Sequence, residues 1–187
     1  KVSKLTSLKA DPKARSLFED WIFSYKRESN QLIVHVKGPQ DKEAWNHLIG
    51  KKDAAFPSFE VEIIAPSVRT KTYWQKGKVI LQDWQAPFEI TGQKGQFLSK
   101  NTKGPMKVFW TRGKINVMQH KGALDLESYE GSLSIRDFEG EAQVENFYGT
   151  SQVINLNGSL SLSNYKGKNL VTKSEGKIEF KMGLSPL

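Results

Sequence analysis

Glycine and apolar residues recur with a period of nine along the C-terminal two thirds of the chain. In GSLSIRDFEGEAQVENFYG, glycine stands at 131, 140 and 149, and apolar side chains mostly follow two and four places later. With each glycine numbered as position 0, the register holds at Gly77 and at every ninth residue from Gly95 to Gly176, with Ala86 in the one remaining place. The alternation at positions 2 and 4 predicts a short, half-buried strand in each unit.

The second half of each unit predicts a bend. Position 6 favours turn-forming residues, namely Asp83, Asn101, Ser128, Asp137, Asn146, Asn155 and Asn164. Position 7 favours large apolar residues that we expect to turn back into the core, namely Trp84, Tyr129, Phe138, Phe147, Leu156 and Tyr165. Asn and Asp tolerate a left-handed backbone, and glycine suits a corner with positive φ or a close backbone approach.

One strand and one bend cannot bury their apolar side chains alone, but stacked units can. The pattern therefore predicts an all-β fold, a parallel β-helix or β-solenoid built on a nine-residue repeat. Antiparallel hairpins are the alternative, although only Gly158 has the Asn-Gly pairing that such turns favour. Two units per coil would stack Pro87 with Pro105, and three would stack Leu81 with Val108. We expect three units per coil, which gives about four coils and a height of roughly 19 Å.

Residues 1–68 lack the repeat and combine helix and strand signals. DPKARSLFEDWIF begins with Asp11 as a helix N-cap, and DKEAWNHLIG indicates a short helix over 41–50. QLIVHVKG from Gln31 and FEVEIIAP from Phe59 alternate as strands do. We interpret this region as a small N-terminal cap, containing short helix, with lead-in strands.

The remaining residues, 69–187, form the β-solenoid repeats, and we expect cap and repeats to make one continuous domain. A cap is expected because an uncovered solenoid end exposes strand edges and core. The C-terminal MGLSPL closes the other end or leads away from it.

Charge is distributed unevenly along the chain, whose net charge is +8. Residues 69–121 carry 11 basic and 2 acidic side chains, whereas residues 122–148 carry 1 basic and 7 acidic ones. The basic block is a candidate for anion binding, and the alternative is two solvated surfaces.

The absence of cysteine excludes disulfides, thiolate metal sites and cysteine nucleophiles. No apolar run approaches the roughly 20 residues of a membrane helix. No signal peptide or anchor is recognised, and because the chain starts at Lys1 we interpret it as a mature or trimmed fragment.

Catalytic and metal-binding patterns are scarce. His35, His47 and His120 lack a second ligand at metal-binding spacing, and we interpret each as structural. Nonapeptide calcium rolls need G-G-x-G-x-D loops, which this sequence lacks. Five carboxylates could gather on one side, as polysaccharide-cleaving enzymes require, namely Asp125, Glu127, Asp137, Glu139 and Glu145. Because any solenoid places charge at such surface positions, we expect no enzyme, no metal and no cofactor.

The repeats GALDLESYEGSLSIRDFEG and GSLSLSNYKG, after the lead-in stretches QLIVHVKG and FEVEIIAP, resemble those of a bacterial adhesin-domain family of single-stranded β-helix repeat proteins. The resemblance covers about residues 31–180. It implies a right-handed β-helix in a protein that acts outside the cytoplasm. Large aromatics, few aspartates at position 1 and additional lysines depart from the family pattern. The resemblance carries over no functional residue.

Aromatic and basic side chains occur together in KTYWQKGK and GPMKVFWTRGK. We expect positions 5 and 6 to face outward, which would expose Phe109 and Trp110. Aromatic faces beside cations suit sugar rings that bear carboxylate or phosphate groups. The hypothesised ligand-binding set is Tyr73, Trp74, Lys107, Phe109, Trp110, Arg112 and Lys114. The alternative is that the N-terminal third packs over Phe109 and Trp110 and makes them core.

The expected function follows from these features. We expect a non-catalytic, extracytoplasmic, adhesin-like domain of the periplasm, the cell surface or the secreted fraction, which binds a surface glycan or another polyanionic envelope partner. The alternative is a structural, self-assembling scaffold of the cell envelope, because a basic first half could associate head to tail with an acidic middle. Single-stranded nucleic acid also suits aromatics beside cations, but the acidic block makes it less favoured as a partner.

Overall fold

The computed structural model of the chain describes residues 2–6, 22–28, 31–37, 59–63 and 69–182. The chain divides into two compact units, Lys1–Ala65 and Pro66–Leu187. The helices predicted after Asp11 and over 41–50, and the C-terminal residues 183–187, lie outside the described residues.

The described residues of the first unit form two antiparallel strand pairs. Strand β1 (Val2–Thr6) pairs with β4 (Phe59–Ile63), and β2 (Ile22–Glu28) pairs with β3 (Gln31–Lys37). Strands β3 and β4 are the two that the alternating pattern predicted.

The second unit is a parallel β-solenoid, as the repeat predicted. Its strands are β5 (Arg69–Gln82), β6 (Phe88–Lys103), β7 (Met106–Lys121), β8 (Leu124–Glu175) and β9 (Ile178–Met182). Each strand pairs in parallel with the next, which excludes the hairpin alternative. The pairing joins each residue to the one 18 places later, as Gly113 with Gly131.

The expectation of three units per coil and about four coils is wrong. A coil of three units would place Val108 on Leu81, but Leu81 pairs with Ser99. Each coil therefore contains two nine-residue units, and β5 to β9 make about six coils. The two units of a coil bend differently, so the structural repeat is 18 residues. We call the units that begin at Gly77 and at every eighteenth residue after it the first arc, and the intervening units the second arc.

The first arc bends as the sequence predicted. Its position-6 residues point outward with positive φ, as at Asp83 and Asp137, where φ is 54°. Position 7 then turns inward and buries Trp84, Phe138 and Leu156 in the core.

The second arc bends in the opposite sense. Its position 6 turns inward and buries Trp110 and Asn146, while its position 7 points outward. The expectation that position 7 is inward is therefore wrong for Tyr129, Phe147 and Tyr165, which all belong to this arc. The nine-residue pattern treats the two bends as equivalent, whereas the stacked structure does not.

Positions 2 and 4 fill the narrow space between the arcs. The position-4 column of the second arc is buried in five successive coils by Ile90, Val108, Leu126, Val144 and Leu162. Side chains of successive coils lie directly over one another because the register is constant, so each apolar column is continuous.

Glycine is required at position 0 where the backbones of successive coils meet. Gly131 has a φ of 146°, and a Cβ added to it would lie 1.8 Å from the carbonyl oxygen of Gly113. Both reasons that the sequence suggested, positive φ and close approach, therefore apply at this corner.

Candidate functional site

The seven residues of the predicted ligand-binding set do not form one site. Tyr73 and Phe109 occupy position 5 of the second arc, two coils apart, with 70% and 40% of their surfaces exposed. Lys107 lies at position 3 of the same face. Arg112 lies at the corner that follows, and Lys114 starts the next first-arc strand.

Trp110 is fully buried, so its expected outward orientation is wrong. Its ring fills the space over Gly92, where an added Cβ would lie 2.0 Å from the indole, and it packs 6.1 Å from the ring of Phe97. Its indole N–H donates to the carbonyl of Arg112 at 3.2 Å. The residues that bury Trp110 therefore belong to the solenoid itself, because position 6 of the second arc faces inward. Trp74, at the equivalent position, is partly buried against the same core.

The cations of GPMKVFWTRGK are paired with carboxylates of the next coil. Three ion pairs join residues 18 apart: Lys107 to Asp125 at 3.2 Å, Arg112 to Glu130 at 2.7 Å and Lys121 to Glu139 at 2.6 Å. These pairs lie where the basic block of the sequence meets the acidic block. An anionic ligand would therefore have to compete with a bound carboxylate at two of the predicted cations. Lys114 forms no ion pair with any residue that the structure describes.

Tyr73 lies beside another such pair. The Lys71 ammonium is 2.7 Å from a carboxylate oxygen of Glu89 and 5.7 Å from the centre of the Tyr73 ring. Hydrogen bonding to Glu89 and then to Tyr73 raises the pKa of Lys71. This cation is also engaged within the protein.

A groove of about 460 Å³ runs along the outer face of the second arc. It crosses five coils, and position 1 of these coils carries mostly short side chains, as at Pro105, Ala123 and Ser159, which leaves the space open. Its polar lining consists of Lys107, Asp125, Glu141, Gln143, Ser159, Ser161, Lys177 and Glu179. Each of the five coils thus contributes at least one polar side chain, and three of them contribute a carboxylate. This groove is the candidate site.

Acidic side chains flank the middle of the groove. Glu127 and Glu145 occupy position 5 of successive coils, next to Asp125 at position 3. Partial burial, followed by the negative charges of Glu145 and Asp125, raises the pKa of Glu127. Within the described part of the chain, neither Glu127 nor Glu145 has an ion-pair partner.

Four aromatic side chains line the corner next to this acidic column, and we call them the aromatic edge: Tyr129, Phe147, Tyr148 and Tyr165. The Phe147 and Tyr165 rings stack 4.7 Å apart and almost parallel, and Tyr129 lies 5.7 Å from Phe147. Tyr148 meets Tyr129 edge-on at 5.4 Å. The three tyrosines are each about half exposed. Sequence reasoning missed this edge because it assigned position 7, which holds three of the four residues, to the core in every unit.

The other candidate residues do not assemble a catalytic or metal centre. His120 is buried, because position 7 of the first arc faces inward. Its Nδ1 lies 2.9 Å from the Thr102 hydroxyl, its ring stacks on Phe138, and burial lowers its pKa. The side chain of His35 and all of His47 lie outside the described residues. Among the residues with described side chains, no group of three or more His, Asp or Glu could hold a metal ion.

The five carboxylates that could have gathered on one side are divided between two places. Asp125, Glu127 and Glu145 lie on the outer face of the second arc, whereas Asp137 and Glu139 lie at the corner after the first arc.

In the part of the chain that the structure describes, no helix is long and apolar enough to span a bilayer. Comparisons with models of known protein families, with curated proteins and with solved structures found no match.

Proposed function

We propose that the solenoid is a non-catalytic, glycan-binding module that acts outside the cytoplasm. The groove carries this proposal, because each of its five coils contributes at least one polar side chain to the lining. The rise of one coil is about 4.8 Å, which is close to the length of one pyranose residue. The hydroxyl groups of an extended glycan would therefore recur at nearly the same interval as the coils of the groove. The aromatic edge beside the groove adds apolar surface of the kind that sugar rings contact.

The charge pattern favours a glycan over a polyanionic partner. Lys107 and Arg112 are bound to Asp125 and Glu130, and the middle of the groove is acidic. A polyanion would meet like charge there, so we omit the polyanionic partner from the proposal.

The scaffold alternative has less support. The coil at 69–85 carries 4 basic and 1 acidic side chains, and the coil at 166–182 carries 5 basic and 2 acidic ones, so both have a net charge of +3. Head-to-tail stacking of these coils would bring like charges together. Lysines on outer strands also discourage edge-to-edge pairing.

A pair of matched variants tests the glycan proposal. Gln143→Ala with Ser161→Ala removes hydrogen-bonding groups from two consecutive coils of the groove. Ser134→Ala with Gln152→Ala removes the same groups from position 3 of the first arc, on the opposite face. Binding of neutral oligosaccharides is measured by calorimetry. We expect the groove variant to bind about tenfold more weakly, as two lost hydrogen bonds imply, and the control to bind normally.

Two results would overturn the proposal. One is that the unmodified protein binds no oligosaccharide of a broad neutral, anionic and cationic panel. The other is that the two double variants lose affinity equally, which would place the ligand elsewhere.

A further inference from the structure

The middle of the groove carries negative charge that the described part of the protein leaves without a partner. Asp125 shares its charge with Lys107, but Glu127, Glu141 and Glu145 form no ion pair with any described residue. Glu141 lines the groove itself, and the other two border it.

Several other carboxylates of the solenoid are neutralised by a cation 18 places away. Glu89 is paired with Lys71, Glu130 with Arg112 and Glu139 with Lys121, each at 2.6 to 2.7 Å. The stacking register provides a simple way to neutralise a carboxylate, since the residue 18 places away lies directly above or below it. At the groove, this place is taken by neutral groups, Ser159 next to Glu141 and Ser163 next to Glu145.

The carboxylates are also crowded. Glu127 and Glu145 stand on successive coils, about 4.8 Å apart along the axis. Partial burial and the charges of Glu145 and Asp125 raise the pKa of Glu127, so the ionised form is under repulsion. A cation placed between these coils would remove that repulsion.

We propose that the groove binds a cationic glycan, a polymer whose sugar residues bear free amino groups. Its ammonium groups lie on Glu127, Glu141 and Glu145, and its hydroxyls bond to Gln143 and Ser161. The Gln143 amide and the Ser159 and Ser161 hydroxyls lie beside these carboxylates, which favours a ligand with hydroxyl groups as well as amines, and so a sugar polymer over a basic peptide. This inference rests on the proposed function and specifies its substrate class.

The test compares two oligosaccharides of the same backbone, one with free amino groups and one with N-acetyl groups. The probes are β-1,4-linked glucosamine and N-acetylglucosamine oligomers of about six residues, long enough to cover the five coils of the groove. Binding to the full chain is measured by calorimetry at low salt and about pH 6, where the sugar amines are largely protonated. We expect the glucosamine oligomer to bind on the order of tenfold more tightly, as about three exposed ion pairs imply, and to weaken in high salt.

Charge-neutral variants place the effect on the groove. Glu127→Gln with Glu145→Gln should remove most of the preference for the amino sugar, since only Glu141 of the three carboxylates remains, while binding of the acetylated oligomer persists. Glu139→Gln with Glu175→Gln, which makes the same change in net charge at the opposite corner, should leave the preference intact.

The outcomes separate this inference from the proposed function. Equal affinity for the two oligomers would overturn the cationic specificity and leave the glycan proposal standing. Binding of neither oligomer, nor of any other glycan, would overturn both. Tight binding of hexalysine without binding of the glucosamine oligomer would identify a basic peptide as the partner and also overturn the inference.

Discussion

Replacing glycine by alanine at position 0 tests whether the clearance between coils explains the repeat. Gly131, Gly122 and Gly104 all have positive φ, at 146°, 133° and 103°. The three differ in the space available for a Cβ. The nearest backbone atom would lie at 1.8 Å for Gly131, at 2.8 Å for Gly122 and at 3.5 Å for Gly104, which lies over Ala86.

The structure predicts a graded loss of stability. A side chain with an unfavourable positive φ costs about 1–3 kcal/mol, and this cost applies at all three sites. At Gly104 no steric cost is added, because 3.5 Å is an ordinary contact. At Gly131 the Gly113 carbonyl must move by more than 1 Å, roughly, which weakens the ladder hydrogen bonds on both sides at about 1 kcal/mol each. We therefore expect losses of about 3–5 kcal/mol for Gly131→Ala, about 1–3 kcal/mol for Gly104→Ala and an intermediate value for Gly122→Ala.

The assay is urea denaturation followed by far-UV circular dichroism and tryptophan fluorescence. Coincident transitions from the two probes are needed first, because repeat proteins can unfold in parts. The free energy of unfolding in water is then compared among the three variants. Equal losses, within about 0.5 kcal/mol, would refute the clearance argument and leave backbone strain as the only reason for glycine.

Three further predictions concern a buried histidine, a buried aromatic residue and an exposed ion pair. The pKa of His120 is lowered in the folded state, so the unfolded chain takes up the proton at a higher pH than the folded chain does. The free energy of unfolding should therefore fall as the pH drops below about 6.5, by at most about 1.4 kcal/mol per pH unit. His120→Phe should remove this component from thermal melts recorded between about pH 7 and 5, and an unchanged pH dependence would contradict it. In urea denaturation, Trp110→Ala should lower the free energy of unfolding by about 3–5 kcal/mol and Phe109→Ala by less than about 1 kcal/mol. Similar losses for the two variants would contradict the assignment of Trp110 to the core. A double-mutant cycle on Arg112 and Glu130 should give a coupling energy of about 0.2–1 kcal/mol that decreases as the salt concentration rises. A larger coupling energy that does not depend on salt would contradict the description of this ion pair as exposed to solvent.

Part of the candidate site was predictable from sequence. Asp125, Glu127 and Glu145 were named as carboxylates that could share a face, and they do. Lys107 was named in the ligand-binding set and lines the groove. These predictions succeeded because odd-numbered positions of a strand face outward whatever the coil size.

The rest of the site depended on how the coils stack. Trp110 was expected to face outward and is buried, whereas Tyr129 was expected to be in the core and is half exposed. Both differences arise because the second arc turns position 6 inward and position 7 outward. The pairing of Arg112 with Glu130 likewise follows from an 18-residue register that the nine-residue pattern does not specify.

The sequence by itself determined the parallel β-solenoid, the strand positions that face the core and the glycines at the corners. These features are local, because alternation and positive φ constrain each unit through its immediate neighbours along the chain. Only the tertiary structure decided that two units make a coil, which aromatic residues are buried and which carboxylates remain unpaired. Coils of 18 and 27 residues satisfy the same local pattern, and the choice between them is made by contacts between residues far apart in the sequence.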